Sequence, residues 1–394
     1  MLGLRENVLQ EVKHEEIVGL LQELVKIPSR NPPGEEKKCA EYIAYKASKW
    51  GLKADLIPEP YPERPQVVVS VEGSESKPTL VLNGHIDTVP EGDVEKWSVE
   101  PFSGVIKDGR IYGRGACDMK GGLTAALIAA KAIKKSGVSL RGNLIVHCAI
   151  GEETGEPGTK TLLEKGFKGD WGVVLEPTNL KVAIVERGLA WFHIIVKGRS
   201  AHASIPHKGV NAITKATAIV SVLEDYNKQI SKEKHPLVAG STCTVTMIEG
   251  GLKENVVPDS CKLVIDRRIL PGTSVEQVES ELKHILSKLR KKDSKLPYEL
   301  KRVKEFESAS ISRDSEIVEA LENSLREVGG IKPKIWGTPY SSDVRNFIND
   351  AKIPAVTFGP GDISEAHAVD ESVELEKVTT CSKVLASLAA DLLA

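Results

Sequence analysis

Histidine and acidic residues follow, or lie close to, several strand-like apolar runs of this 394-residue chain. These residues are His85 with Asp87, Asp118, Glu152 with Glu153, Glu176, and His367. Imidazole and carboxylate groups are among the ligands that zinc prefers. Ligand sites in α/β sheets form outside the carboxyl ends of the strands. The pattern therefore predicts a centre for two metal ions that supports hydrolysis.

Each of these residues has a simpler explanation when it is taken alone. His85 could be a hydrogen-bonded structural histidine at the end of a strand, Asp118 could cap the helix that follows it, and Glu176 could simply end a strand. Taken together, however, they place roughly five carboxylates at one edge of a sheet, which is strongly repulsive without cations. Because bound metal ions remove that repulsion, the group favours a metal site over separate structural roles.

One ligand assignment gives each ion three protein ligands and leaves a position open for water, as in catalytic zinc sites. Asp118 bridges the two ions, and the other ligands form two pairs: His85 with Glu176, and Glu153 with His367. Glu152 is then left over, and we expect it to act as general base and afterwards as general acid. Asp87 lies behind His85, where a carboxylate fixes the tautomer of an imidazole. Zinc would lower the pKa of water to about 7 and polarise the scissile carbonyl.

The charge balance and the lengths of the apolar segments disfavour several classes of protein. The chain carries 53 basic and 55 acidic residues, so it has no electrostatic footprint for nucleic acid or an anionic membrane. No segment reaches the roughly 18 apolar residues of a membrane span, and the charged N-terminus lacks the apolar core of a signal peptide. We therefore expect a cytoplasmic protein that acts on small molecules.

Two different patterns of predicted helices and strands occur along the chain, and they indicate two domains. The first third interleaves amphipathic helices with near-continuous apolar strands such as QVVVSV and TLVLNG, which is typical of an α/β sheet buried on both faces. From about residue 188 the order becomes strand, helix, strand, strand, helix, strand, the pattern of a small α+β sandwich. We predict a discontinuous metal-binding domain over 1–187 and 309–394 with a mostly parallel sheet, and an inserted two-layer α+β sandwich over 188–308.

Eight motifs resemble those of one known family, in order along the chain. They are GHIDTVP (84–90), GRGACDMKGG (113–122), GEETG (151–155), VLEPT (174–178), RSAHASIPHKGVNA (199–212), ENVVPD (254–259), DRRILPG (266–272) and EAHAVDE (365–371). They are similar to the dinuclear zinc family of acetylornithine deacetylase, succinyl-diaminopimelate desuccinylase, aminoacylase and carboxypeptidase G. The resemblance implies the ligand assignment given above, Glu152 as the base, and a cis peptide bond after Asp118. It also implies a zinc-peptidase-like catalytic domain and a lid and dimerisation role for the inserted domain.

The resemblance also implies roles for residues of the inserted domain. His202 matches a histidine that reaches the active site of the neighbouring subunit and stabilises the tetrahedral oxyanion, so a homodimer is expected. Arg268 matches an arginine that binds a substrate carboxylate, a task that suits a planar guanidinium, and Asn255 matches its companion. Glu176 stands where dipeptidase and tripeptidase relatives tend to carry aspartate, which favours the deacylases and carboxypeptidases.

These observations predict a metal-dependent hydrolase that cleaves the amide bond of an N-acyl-amino acid. The expected cofactors are two Zn²⁺ ions, with Co²⁺ as a substitute, and deacetylation or desuccinylation is favoured. The alternative within the family is a carboxypeptidase or dipeptidase that acts on a short peptide with a free carboxylate. Hydrolysis of a cyclic urea derivative would use the same ligands. A non-catalytic peptide-binding protein is disfavoured because Glu152 is intact.

Overall fold

The structure is a computed structural model that describes residues 2–293, 296–328 and 330–394. Its internal contacts divide the chain into two compact units. The first unit contains Met1–Ile184, Ile311–Trp336 and Ser342–Ala394, and the second contains Val185–Ser310 and Gly337–Ser341. The second unit therefore includes the segment predicted as an inserted domain, together with a short piece of chain near residue 340.

Helices and strands alternate along the chain. The helices are α1 (Leu2–Gln10), α2 (His14–Val25), α3 (Lys37–Lys49), α4 (Gly121–Ser136), α5 (Gly158–Glu164), α6 (Ala212–Ile230), α7 (Val275–Lys292), α8 (Glu316–Glu327) and α9 (Leu375–Leu393). The strands are β1 (Lys53–Ile57), β2 (Gln66–Val71), β3 (Thr79–His85), β4 (Val105–Lys107), β5 (Arg110–Tyr112), β6 (Asn143–Ala149), β7 (Trp171–Val174), β8 (Val182–Glu186), β9 (Gly188–Lys197), β10 (Thr242–Gly250), β11 (Ser260–Ile269), β12 (Tyr298–Phe306), β13 (Ala309–Ser310), β14 (Ile335–Thr338), β15 (Ala355–Thr357) and β16 (Ser372–Glu374). Among the described residues, no helix is both long enough and apolar enough to cross a membrane.

The first unit is built around one sheet whose central strands are parallel. The strand order is β1-β2-β6-β3-β7-β15-β8. Neighbouring strands from β6 to β15 run parallel, whereas β1, β2 and β8 pair antiparallel towards the edges. Asn83 of β3 is aligned with His147 of β6 on one side and with Val174 of β7 on the other. The predicted α/β domain with a mainly parallel central sheet is confirmed.

Burial explains why the central strands and the helix that covers them are so apolar. Every residue of β3 is buried, and α4 is buried from Gly121 to Ile133. Burying one large aliphatic side chain contributes about 1.5–3 kcal/mol to folding, so these two elements are strongly fixed against each other. α4 ends at Gly137, which adopts the left-handed conformation (φ 69°) that terminates many helices. At its other end, Gly122 lies against the carbonyl oxygen of Leu175, the residue after β7, so α4 begins close to the carboxyl ends of the strands.

The second unit is a two-layer sandwich of one antiparallel sheet and the helices α6 and α7. The strand order is β10-β11-β9-β12. Along β9, Phe192 and Ile194 are fully buried in the core shared with the helices, whereas Trp191 on the opposite face is 37% exposed. This alternation is the period of two that a half-buried strand requires. The predicted α+β sandwich is confirmed, and its role as a lid stays a prediction.

Candidate metal centre

The predicted ligands gather at one edge of the first unit's sheet. His85 is the last residue of β3, Glu153 and Glu176 lie shortly after β6 and β7, and His367 lies in the loop between β15 and β16. Because these strands are parallel neighbours, their carboxyl ends meet at the same edge of the sheet. Asp118 reaches this edge from the turn Ala116–Lys120, which leads directly into α4.

The first group of candidate ligands consists of His85, Asp118 and Glu176, whose ligand atoms lie within 4.8 Å of one another. His85 Nε2 is 3.2 Å from Asp118 Oδ1 and 3.8 Å from Glu176 Oε1. All three residues are buried. Glu176 Oε1 has no hydrogen-bond partner among the described residues. A buried carboxylate oxygen without a partner is costly unless a cation binds there, so this group fits a metal ion.

The second group consists of Asp118, Glu153 and His367, and it meets the same 4.8 Å limit. His367 Nε2 is 3.3 Å from Asp118 Oδ2 and 3.0 Å from Glu153 Oε2. Asp118 therefore contributes a different carboxylate oxygen to each group. Both groups offer one imidazole nitrogen and two carboxylates, a donor set that suits a borderline divalent ion such as zinc.

A tight turn presents Asp118 to both groups. Gly115 precedes it with φ 84°, and a Cβ atom there would lie only 2.5 Å from Thr88 Cγ2, so the turn requires glycine. Gly122 lets α4 approach the end of β7, because a Cβ atom would lie 2.3 Å from the carbonyl oxygen of Leu175. The peptide bond after Asp118 is cis, as the resemblance implied.

A buried ion pair, which the sequence motifs did not predict, holds this turn in place. Glu371 Oε1 accepts hydrogen bonds from the backbone N–H groups of Cys117 (2.9 Å) and Asp118 (3.0 Å). Glu371 Oε2 accepts one from Arg114 Nη1 at 2.6 Å, and both side chains are almost fully buried. Arg114 Nη2 also donates to the carbonyl oxygen of His367 at 3.5 Å. The pair thus links the shared aspartate with the loop that carries His367.

Asp87 lies behind His85, but its backbone makes the closer contact. His85 Nδ1 is 2.9 Å from the carbonyl oxygen of Asp87 and 3.5 Å from its carboxylate oxygen Oδ1. Because a carbonyl oxygen only accepts, Nδ1 carries the proton of the neutral imidazole and the lone pair of Nε2 faces Asp118. The carboxylate of Asp87 accepts hydrogen bonds from the backbone N–H groups of Glu152 (3.3 Å) and Glu153 (3.2 Å). Asp87 therefore connects the imidazole with the turn that follows β6.

Glu152 belongs to neither group of candidate ligands. Burial raises the pKa of its carboxyl group well above the usual range, and the negative charges of Asp343 and Glu153 add to the effect. Asp343 is itself buried and accepts hydrogen bonds from Thr159 Oγ1 at 2.6 Å and Asn346 Nδ2 at 2.9 Å. The carboxyl group of Glu152 therefore lies at the same edge of the sheet as the candidate ligands but belongs to neither of their two groups.

The charges of the two groups perturb one another strongly. Hydrogen bonds to Asp118 and Glu153 raise the pKa of His367 to about 10. Burial alone would lower the pKa of His85, but its contacts with Asp118 and Asp87 raise it well above the usual value. Since a metal ion binds the unprotonated imidazole, metal binding must displace these protons.

The comparison with known proteins agrees with this geometry. Residues 81–391 match the profile of peptidase family M20/M25/M40. The chain belongs to this family. It is 30% identical to the N-formyl-4-amino-5-aminomethyl-2-methylpyrimidine deformylase of Halalkalibacterium halodurans over 98% of this chain and 96% of that protein. It is 31% identical to the acetylornithine deacetylase of Myxococcus xanthus over 81% and 82% of the two chains.

A solved structure extends the likeness of this M20 protein to the fold. The M20 family metallo-carboxypeptidase of Sulfolobus solfataricus superposes with a TM-score of 0.81 over 95% of this chain and 98% of that chain, at 22% identity. The predicted family and fold are therefore confirmed. The chain is a hydrolase of the metallopeptidase and amidohydrolase type.

His202, Asn255 and Arg268 belong to the second unit of this M20 hydrolase, and one chain does not bring all three together. His202 pairs with Val256, the residue after Asn255, in an isolated bridge. Asn255 lies shortly before the start of β11, and the bridge brings His202 beside it. Arg268 lies near the other end of β11, eight residues beyond Ser260, which corresponds to about 26 Å along a strand. Within one chain, Arg268 is thus far from Asn255.

Proposed function

We propose that this chain hydrolyses the amide bond of an N-acyl-amino acid with the help of two divalent metal ions, natively zinc. The observation that carries the proposal is Asp118, whose two oxygens face two separate groups of ligands. His85 and Glu176 would complete one ion site, and Glu153 and His367 the other. When bound, the ions would lower the pKa of water and polarise the scissile carbonyl.

Glu152 would act as the general base and then as the general acid. It stands beside Glu153 on the turn after β6, yet it belongs to neither ligand group. Its backbone is fixed through the hydrogen bond to Asp87, which keeps the carboxylate at the metal edge of the sheet. A positioned carboxylate of this kind can take a proton from water during attack and deliver it to the leaving nitrogen. Asp87 would keep His85 in the tautomer that leaves Nε2 unprotonated.

The second unit would supply substrate recognition. By family likeness, Arg268 would bind the α-carboxylate of the substrate with Asn255 as its companion, and His202 would stabilise the oxyanion. A small substrate cannot contact two groups that are about 26 Å apart along β11. We therefore infer that His202 and Asn255 of one chain serve a different copy of the site from the one that Arg268 of that chain serves.

One of the two edges of the second unit's sheet supports a homodimer. β10 lies at that edge, and it exposes Met247 by 61% and Ile248 by 55%. An edge strand offers unpaired backbone N–H and C=O groups, and exposed apolar side chains beside them fit a protein partner. A second copy that pairs along β10 would cover both.

A substrate panel with a matched variant tests the proposal. Purified protein loaded with zinc or cobalt is given N-acetyl- and N-succinyl-amino acids and a series of dipeptides, and the released amine is measured. We expect cleavage of acylated amino acids ahead of dipeptides. Glu152→Gln should abolish turnover while two metal ions remain bound, and Glu63→Gln, at an exposed glutamate of the first unit, should change neither. Near-normal activity of Glu152→Gln, or a protein that binds no metal, would refute the mechanism, and faster cleavage of dipeptides would favour the peptidase alternative.

A further inference from the structure

Two arginines meet at one end of the second unit's sheet. Arg268 of β11 is aligned with Leu189 of β9, and Arg187 lies two residues before Leu189. Arg187 stands directly before β9, whose first residue Gly188 is aligned with Ile269, so the two arginines start from adjoining backbone positions at this end of the sheet. Burial and the positive charge of Arg268 together lower the pKa of Arg187, as expected for adjacent guanidinium groups.

Arg187 makes no ion pair among the described residues. Its Nη1 donates to the carbonyl oxygen of Gly240 at 3.1 Å, and its Nη2 donates to that of Pro339 at 3.2 Å. Its Nε is buried and has no hydrogen-bond partner in the described part of the chain. Carbonyl oxygens orient the guanidinium but do not neutralise it. A partly buried cation without a carboxylate is unfavourable, so an anion that bound beside it would be stabilised.

The nearby carboxylate of Asp266 is already engaged. Its Oδ1 accepts a hydrogen bond from Arg268 Nε at 2.9 Å, and its Oδ2 accepts one from Trp191 Nε1 at 2.8 Å. The ammonium group of Lys304 lies 5.2 Å from the ring centre of the same tryptophan. The guanidinium groups of Arg187 and Arg268 therefore lie near one carboxylate, that of Asp266, and near the ring of Trp191. The cluster carries an excess of positive charge on the face of the sheet that the helices do not cover.

We propose that this cluster binds a second carboxylate of the substrate, so that the preferred substrates are N-acyl-amino acids with two carboxylates. The inference rests on the proposed function, in which Arg268 binds the first carboxylate. Arg187 then binds the other, whether it belongs to a dicarboxylic acyl group or to an acidic side chain. A guanidinium held by two carbonyl oxygens is already oriented, so little side-chain freedom is lost when the carboxylate binds.

Three substrates that differ in their carboxylates test the assignment on the zinc-loaded enzyme. N-succinyl-L-alanine carries the second carboxylate on the acyl group, N-acetyl-L-glutamate carries it on the side chain, and N-acetyl-L-alanine has one carboxylate only. We expect wild type to prefer one of the first two over the third at least tenfold in kcat/KM. Arg187→Gln should lower kcat/KM for that preferred substrate about 10- to 100-fold, mainly through KM. Its kcat/KM for N-acetyl-L-alanine should change less than threefold.

Two further variants separate charge recognition from a structural role. Arg187→Lys keeps the charge and should retain part of the preference. Arg302→Gln, at an arginine that is paired with Glu276, Glu279 and Glu305, should leave the preference unchanged. If Arg187→Gln lowers the rates with all three substrates equally, or with none, the inference is overturned. If wild type cleaves none of them, the proposed function fails. Calorimetric titration then tests the anion site without catalysis, by comparing the affinities for succinate, which has two carboxylates, and propionate, which has one. If the cluster binds a second carboxylate, wild type prefers succinate and Arg187→Gln loses that preference.

Discussion

Glu371→Gln should weaken metal binding although Glu371 is not a predicted metal ligand. The substitution keeps the size of the side chain and removes its charge. One amide oxygen can still accept from the backbone N–H groups of Cys117 and Asp118, but the new NH₂ group would then face the donor Arg114. Either the turn or the ion pair must therefore give way.

The expected loss follows from what the ion pair holds. Removing a group that orients a metal ligand typically lowers metal affinity 10- to 100-fold. Glu371 holds the backbone of Asp118, which faces both ligand groups, and through Arg114 it also reaches the carbonyl oxygen of His367. We therefore expect the upper end of the range, about 100-fold, or about 3 kcal/mol of binding free energy.

Competition with a chromogenic chelator at pH 8 measures the zinc affinity of each variant. Glu374→Gln is the matched control, because Glu374 stands in the same segment but pairs with Arg110 and Lys377 near the surface. Thermal unfolding of the metal-free proteins separates a loss of affinity from a loss of folding. A zinc affinity of Glu371→Gln within threefold of wild type would contradict the positioning role of the ion pair.

Three further predictions concern protons and buried polar groups. Burial lowers the pKa of His147 to about 4, so the unfolded state binds more protons than the folded state between pH 6.5 and 4, and stability should fall as the pH falls through that window. Between pH 8 and 5 the protonation of His147 in the unfolded state lowers the free energy of unfolding by about 2 kcal/mol. The free energy of urea unfolding, measured in EDTA, should therefore depend less on pH in His147→Gln than in wild type. If the two pH profiles run parallel, His147 does not cause the loss of stability. Zinc binding at pH 8 should release protons, because the pKa of His367 is raised to about 10. The binding enthalpy measured by calorimetry should then change with the ionisation enthalpy of the buffer. A binding enthalpy that is the same in all buffers would contradict this prediction. Lys120→Met should lower the free energy of unfolding by about 1–3 kcal/mol. The buried ammonium group donates hydrogen bonds to the carbonyl oxygens of Leu24 (3.0 Å) and Ile27 (2.8 Å), which methionine cannot do. An unchanged melting temperature would contradict this role of the ammonium group.

Much of the fold could be predicted because its signals are local. The apolar runs TLVLNG and NLIVHCAI form the fully or largely buried strands β3 and β6. The change in the predicted order of helices and strands near residue 188 coincides with the start of β9. Parallel pairing then places the residues that follow these strands at one edge without further information. The approximate location of the candidate centre was therefore readable from the sequence.

The supporting contacts could not be predicted in the same way. Glu371 and Arg114 are far apart in the sequence, and no periodicity shows that both are buried against the turn of Asp118. The separation of Asn255 from Arg268 has a similar origin. A segment of this length can form a compact loop or a straight strand, and only the pairing of β11 with β9 and β10 fixes the extended form. Sequence patterns identify donors and acceptors well, whereas burial and reach depend on the whole fold.

The two histidines of the candidate centre differ sharply in their access to solvent. The side chain of His85 is 1% exposed, whereas that of His367 is 52% exposed on a loop residue with φ 60°. An ion beside His367 would exchange readily with the surroundings, while an ion beside His85 would be trapped. Under metal scarcity we therefore expect a half-loaded protein to accumulate, so that catalytic output would follow the supply of free divalent ions.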